Sequence, residues 1–255
     1  MRNTVVVQSC KKFSEICKAT MASLVPYDFI DDIILSTDDK NFPSSVNSKI
    51  KLVQLGSDGG FSSNMIAALD KTEADRILVI LDDYVLPHPS KQKVNQNSLF
   101  ESAIKSLGER EDVACIRLNI FDKKCADFSD NLNEFVRVRD DFKYICSLQP
   151  AVWRTESLKK LLKKGEDAWT AELSGSKRMR KLGMRAYISQ FEAMAHINAL
   201  RFGKYVRDKF VDYADENNIG IPRNMDVFVK KKLPSGESSE KKIVNISKYR
   251  SEKKH

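Results

Sequence analysis

The 255-residue chain is poor in histidine, with only His88, His196 and His255, and its five cysteines fall at irregular intervals. There is no HExxH or comparable ligand pairing, which excludes zinc hydrolysis of the protease kind, and no CxxC pair or disulfide framework. Cys10, Cys17, Cys115, Cys125 and Cys146 therefore read as reduced residues, which points to a cytoplasmic protein. No apolar run approaches the roughly 20 residues a membrane helix needs. The amino terminus, MRNTVVVQSCKKF, passes from a short β-type run straight into polar residues, unlike a secretory signal. The first strand-like run is not followed by GxGxxG, and no glycine loop ends in GKS or GKT, so the usual dinucleotide and ATPase motifs are excluded. Zinc-finger, RRM-like and basic-zipper patterns are missing too, and no nucleic-acid partner is expected.

What remains is the composition of an ordinary globular protein, 42% hydrophobic and 31% charged. The length suits a single domain over 1–247, divisible at about residue 110, with a flexible tail at 248–255. The net charge of +8 is uneven: from Ser176 onward there are nineteen basic and nine acidic residues, so the first 175 are slightly acidic. Clusters such as KRMRK (177–181) and VKKK (229–232) suit an anionic acceptor or peripheral contact with an anionic membrane, and would serve equally as solvated faces.

Hydrophobic periodicity predicts an α/β protein. TVVVQS (4–9), DDIILSTD (31–38), KIKLVQLG (49–56), ILVILDD (77–83) and VACIRLNI (113–120) read as strands, with helical patterns after the first and third and at 97–109 and a hydroxyl-rich loop after the second. Connections this short favour a three-layer sandwich around a mixed, mostly parallel sheet. After Phe121 the pattern becomes strand, turn, strand and a helix over about 155–164, which predicts antiparallel additions. Phe191, Met194, Ala195, Asn198 and Phe202 recur at helical spacing and predict a long helix over 189–217. The two arms of DVFVKKKLPSGESSEKKIVNI predict a C-terminal β-hairpin.

Two places in this pattern carry chemistry. The apolar run at 77–81 stops on adjacent carboxylates, Asp82 and Asp83, where open α/β sheets hold their ligands. Two such acids repel unless a cation lies beside them, which suits Mg2+ or Mn2+ on a substrate phosphate; they would also simply cap the strand before Pro87. In LGSDGGFSSN (55–64), Gly59 and Gly60 permit a tight turn with exposed N–H groups, and Ser62, Ser63 and Asn64 can cap the next helix. A pyrophosphate or ribose fits there, with Asp58 accepting from a hydroxyl, though such a loop is also an ordinary turn.

The order of strand, acid-bearing glycine loop, strand ending in acids, SLQPAVWR (147–154) and WTAE (169–172) resembles nucleotide-sugar-dependent glycosyltransferases of the GT-A fold, the polysaccharide-biosynthesis type. The resemblance spans about 4–205, with Leu81-Asp82-Asp83 departing from the family's DxD spelling. It implies a metal-dependent, inverting transfer from a nucleoside diphosphate sugar to a hydroxyl of a glycan or lipid-linked acceptor. Mn2+ or Mg2+ would fall to Asp83, with His196 as a secondary ligand. The donor would lie against Gln8, Asp58, Gly59, Gly60, Asn64, Asp82 and Lys204. The W-x-x-E resemblance makes Glu172 the base that deprotonates the acceptor, with Asp167 its competitor. Gln149, extended before Pro150, and the flat faces of Trp153 and Trp169 would meet the acceptor, although either Trp also suits a core. A nucleotidyltransferase making nucleotide sugars, or a non-catalytic carbohydrate- or anion-binding module, would use many of the same residues.

Overall fold

The structure is a computed structural model that describes residues 2–43, 47–91, 94–119, 123–191, 194–201, 204–217, 219–221, 225–231 and 240–253. The first half alternates strands and helices: β1 (Thr4–Gln8), α1 (Ser14–Leu24), β2 (Asp32–Thr37), β3 (Ile50–Gln54), α2 (Phe61–Leu69), β4 (Arg76–Val79), the short β5 (Tyr84–Val85), α3 (Gln96–Glu109) and β6 (Val113–Arg117). There follow β7 (Ala126–Leu132), β8 (Phe135–Val138), β9 (Ala151–Arg154), α4 (Thr155–Leu161), α5 (Ala168–Lys181) and β10 (Arg185–Ser189). The chain closes with β11 (Ile197–Asn198), β12 (Leu200–Arg201), β13 (Tyr205–Arg207), α6 (Asp208–Glu216), β14 (Asp226–Lys231), β15 (Glu240–Asn245) and α7 (Ile246–Glu252).

Nine strands form one sheet in the order β3-β2-β1-β4-β9-β6-β10-β8-β7. β1, β2, β3 and β4 are parallel neighbours, whereas β9 enters antiparallel between β4 and β6. The mixed sheet is thus as predicted, and strands from both halves of the sequence share it. Strand period decides the layers. Val5, Val7, Ile33, Leu35 and Leu78 face a core with α1 and α3, while Val6, Ile34, Ile77, Val79 and Trp153 face a core with α2, α4 and α5. Gly175 lets α5 approach closely, since a Cβ there would lie 2.9 Å from the Cys146 sulfur. A smaller third core joins α6, α7 and the four-stranded sheet β12-β13-β14-β15. No described helix is long and apolar enough to cross a membrane.

The predicted helix over 189–217 is wrong in its first half. Ile197–Asn198 pairs with Tyr84–Val85, and Leu200–Arg201 pairs with the strand after it, so helix begins only at Asp208. Three- to four-residue spacing of apolar side chains was a weak local preference there, and pairing with β5 overrode it. The tail expected from Lys248 is helical through Glu252, because Tyr249 is buried and Arg250 pairs with Asp215. The C-terminal hairpin forms as β14 and β15, and its Pro-Ser-Gly turn lies outside the described residues.

Candidate functional site

Asp82 and Asp83 sit in the turn just beyond β4, closed by Tyr84 N–H donating to the Leu81 carbonyl at 3.0 Å. Neighbouring elements tie this turn down. Ser9, one residue past β1, donates its hydroxyl to Asp82 Oδ2 at 2.7 Å, and Thr20 of α1 donates to the Asp82 carbonyl at 2.7 Å. Ala199 N–H donates to the Asp83 carbonyl at 2.7 Å. Burial, and then the Asp83 charge, push the Asp82 carboxyl up to about 7. Burial pushes Asp83 up to about 6 against the opposing pull of backbone N–H groups, including that of Leu200, and of the Arg207 guanidinium. The two acids thus hold their charges reluctantly, as carboxylates do where a cation is expected to help.

The glycine loop lies beside them. Cys10 feels the charges of both Asp58 and Asp82, and the loop and the acids both follow the carboxyl ends of parallel strands, β3 and β4. Asp58 Oδ1 accepts from Gly60 N–H and from the Asn64 amide, each at 2.9 Å, while Asn64 Oδ1 accepts from Gly59 N–H at 3.1 Å. The two glycine N–H groups expected to be exposed are therefore engaged by the loop's own side chains, and Asp58 itself is exposed. Gln8 is buried at the end of β1.

A hollow of about 350 Å3 opens on the α5 side, and its lining includes Leu81, Tyr84, Arg117, Gln149, Trp169 and Glu172. Glu172 stands on the second turn of α5, half-buried, and Leu148 N–H (2.7 Å) and the Ser147 hydroxyl (3.1 Å) both donate to its Oε1. Oε2 has no protein donor among the described residues. Burial raises the Glu172 carboxyl, partly offset by these donors and by Arg117. Asp167 is placed differently. It is the N-cap of α5, accepting from Thr170 N–H at 2.6 Å, and that bond holds its carboxyl below the usual range.

Tyr84 lies between the acid turn and this hollow. It follows Asp83 in sequence, lines the Glu172 hollow, and its phenol is raised by burial and by the charges of both Asp83 and Glu172. His196 stacks on it with ring centroids 4.2 Å apart, so this candidate does come to the acid turn, on an extended segment instead of a helix. Trp169 is 63% exposed and offers its face at the rim. Trp153 is wholly buried in β9, which removes it from any surface an acceptor could touch. Its neighbour Arg154 donates to the carbonyls of Leu107, Arg110 and Val113. Lys204 is exposed, its ammonium 5.2 Å from the Tyr205 ring centroid.

Sequence reasoning missed Ser9, which donates to Asp82, and Tyr84, Arg117 and Arg207, which interact electrostatically with Asp83 or Glu172 from separate elements. Only Tyr84 carried a signal, as an aromatic adjoining the acid pair. A larger hollow of about 430 Å3, lined by Arg2, Asp32, Lys51 and Asp75, lies at the opposite strand ends. There Arg2 and Lys51 already pair with Asp32, at 3.2 and 3.0 Å. Among the described residues, no cluster of three or more His, Cys, Asp or Glu side chains is arranged to hold a metal ion.

A scan of protein-family models and a search of curated proteins found no match. Solved structures do match. Residues 1–349 of S. aureus TarS, in complex with UDP-GlcNAc, share 17% identity with a TM-score of 0.51, covering 76% of this chain and 57% of TarS 1–349. The mannosyltransferase PcManGT from Pyrobaculum calidifontis, in complex with GDP-Man and Mn2+, shares 16% identity with a TM-score of 0.54, covering 79% of this chain and 58% of that one. The fold is GT-A-like. At these identities the likeness concerns architecture, and the chain spans under three fifths of the length of both proteins. In this GT-A-like frame the acid turn lies at the carboxyl end of β4, and α5 brings Glu172 to the hollow beyond Tyr84.

Proposed function

We propose that this protein transfers a sugar from a nucleoside diphosphate sugar to a hydroxyl of a glycan or lipid-linked acceptor, with inversion at the anomeric carbon. The observation that carries this reading is Glu172, a desolvated carboxylate with Oε1 anchored by two donors and Oε2 without a protein donor among the described residues, across Tyr84 from the acid turn. A base needs that combination: a fixed orientation, a lone pair left for the proton, and enough desolvation to raise its proton affinity.

Asp58, Asn64 and Gln8 would border the nucleotide, and Lys204 would reach the diphosphate. Asp83, with Asp82 beside it, would hold Mn2+ or Mg2+, and His196, stacked on Tyr84, would approach the same turn. A site of one or two carboxylates fits a cation whose other ligands are substrate phosphates and water. When bound, the cation neutralises the departing diphosphate. The acceptor would rest on Trp169 with Gln149 beside it. Glu172 takes the acceptor proton as the hydroxyl oxygen attacks the anomeric carbon from the face opposite the nucleotide. The carbon–oxygen bond to the diphosphate breaks, and the bonding pair leaves with the diphosphate. The basic carboxyl-terminal third would steer an anionic acceptor or rest on an anionic membrane surface, in the cytoplasm.

Calorimetric titration of UDP, GDP and CDP, with and without Mn2+, tests the donor side. One of them should bind more tightly with Mn2+, and Asp83→Asn should abolish that gain. Affinity indifferent to both the metal and the substitution would overturn the reading.

A further inference from the structure

Arg117, the last residue of β6, is 0% exposed, and a guanidinium is rarely taken fully out of water without a task. It shares a strand face with Cys115, on the side covered by α5, and its Nη1 donates to the Tyr144 carbonyl at 3.2 Å. It also lines the hollow that contains Glu172, so the two bring opposite charges to one enclosed space. We propose that Arg117 is a positioning residue for Glu172: from the same enclosed hollow its buried guanidinium favours the ionised carboxylate, ready to accept a proton.

The surroundings support this division of labour. Glu172 is faced by Arg117 from β6, by Tyr84 from β5 and by Cys146 from the segment before β9. Burial holds the Tyr84 phenol and the Cys146 thiol in their neutral forms, so neither supplies a compensating charge. Arg117 in turn is drawn down by burial and supported by Glu172 among its neighbours. Burial raises the proton affinity of this carboxylate against the pull of the Leu148 and Ser147 donors. The fixed cation offsets part of that effect without touching Oε1, which the two donors already occupy.

The importance of this coupling rests on Glu172 being the base, but the coupling itself is measurable without turnover. Carbon-13 NMR titration of the Glu172 carboxyl in the substrate-free protein should show its midpoint about one pH unit or more higher in Arg117→Met than in the wild type. Arg117→Lys should leave it nearly in place. Arg117→Gln, which keeps a donor for the Tyr144 carbonyl, gives the same reading should Arg117→Met not fold. In a transfer assay the acid limb of the pH profile should move with the NMR midpoint. An unmoved midpoint in a folded neutral variant overturns the proposal, as does a large rise in acceptor KM with a fixed acid limb, which would make Arg117 an acceptor-binding group. A shifted midpoint with full turnover in Glu172→Gln would instead reject Glu172 as base while leaving the coupling demonstrated.

Discussion

Asp83 and Glu172 are both carboxylates drawn out of water, yet the protein holds them in opposite ways. Asp83 stands beside a second acid, and of the pair only Asp82 receives a side-chain hydroxyl, that of Ser9. Glu172 stands without a neighbouring acid among its charge partners, receives two donors on one oxygen, and has the Arg117 guanidinium across its hollow. Desolvation alone therefore does not assign a role, because it acts in the same direction on both groups. The difference lies in the compensation: the acid pair adds like-charge repulsion to burial, whereas Glu172 has backbone and hydroxyl donors and the Arg117 charge to offset it.

The sharpest way to break this comparison is at Glu172. Glu172→Gln should lower turnover about a hundredfold or more while leaving nucleotide affinity nearly unchanged, because the proton is transferred only on the way to the transition state. Steady-state kinetics beside calorimetry check this. A parallel fall in nucleotide affinity would mean that Glu172 belongs to the same ligand set as Asp83.

A smaller effect should appear in stability against pH. The carboxyls of Asp82 and Asp83 titrate at about 7 and about 6 in the folded chain, above the values of about 4 expected when unfolded. Raised folded values mean that the stability contributed by this pair is fully present below about pH 4 and is lost as pH rises through 6 to 7. Thermal melts without metal should therefore show the wild type losing more stability between pH 5 and pH 8 than Asp82→Asn does. Identical pH dependence in the two proteins would remove the strained acid pair from the account.

The smallest effect concerns Asp167, the competing acid near Glu172. As the N-cap of α5 it is bonded to a backbone N–H, so Asp167→Ala should cost about 1 kcal/mol of stability. Turnover per folded molecule should fall far less than in Glu172→Gln. A hundredfold loss at Asp167 would reverse the assignment of the two acids.

Much of the frame was legible in advance. The runs at 4–9, 31–38 and 77–83 are rich in Val, Ile and Leu because their strands are buried on both faces, whereas 49–56, interrupted by Lys51 and Gln54, became the partly exposed edge strand β3 of the same sheet. The acids ending the fourth run were visible for the same reason, since charge cannot continue into a doubly buried strand. Glu172 was reached through the family resemblance, and helix periodicity gave no sign that it would meet Ser147 and Leu148. The segment at 189–201 misled because its apolar spacing satisfied a helix while its backbone found partners in β5 and β13.

Pattern along the chain determined which strands are buried, where the acids lie and where the charge changes sign, because burial on a given face requires a matching residue type at each repeat. Tertiary structure decided the rest. Whether Trp153 is wall or core depends on β9 entering between β4 and β6. Whether His196 reaches the acid turn depends on the pairing of β11 with β5, and whether Arg117 faces Glu172 depends on how α5 lies over the sheet. Each is a contact between residues far apart in sequence, and neither local propensity nor periodicity carries information about which distant surface a side chain will meet.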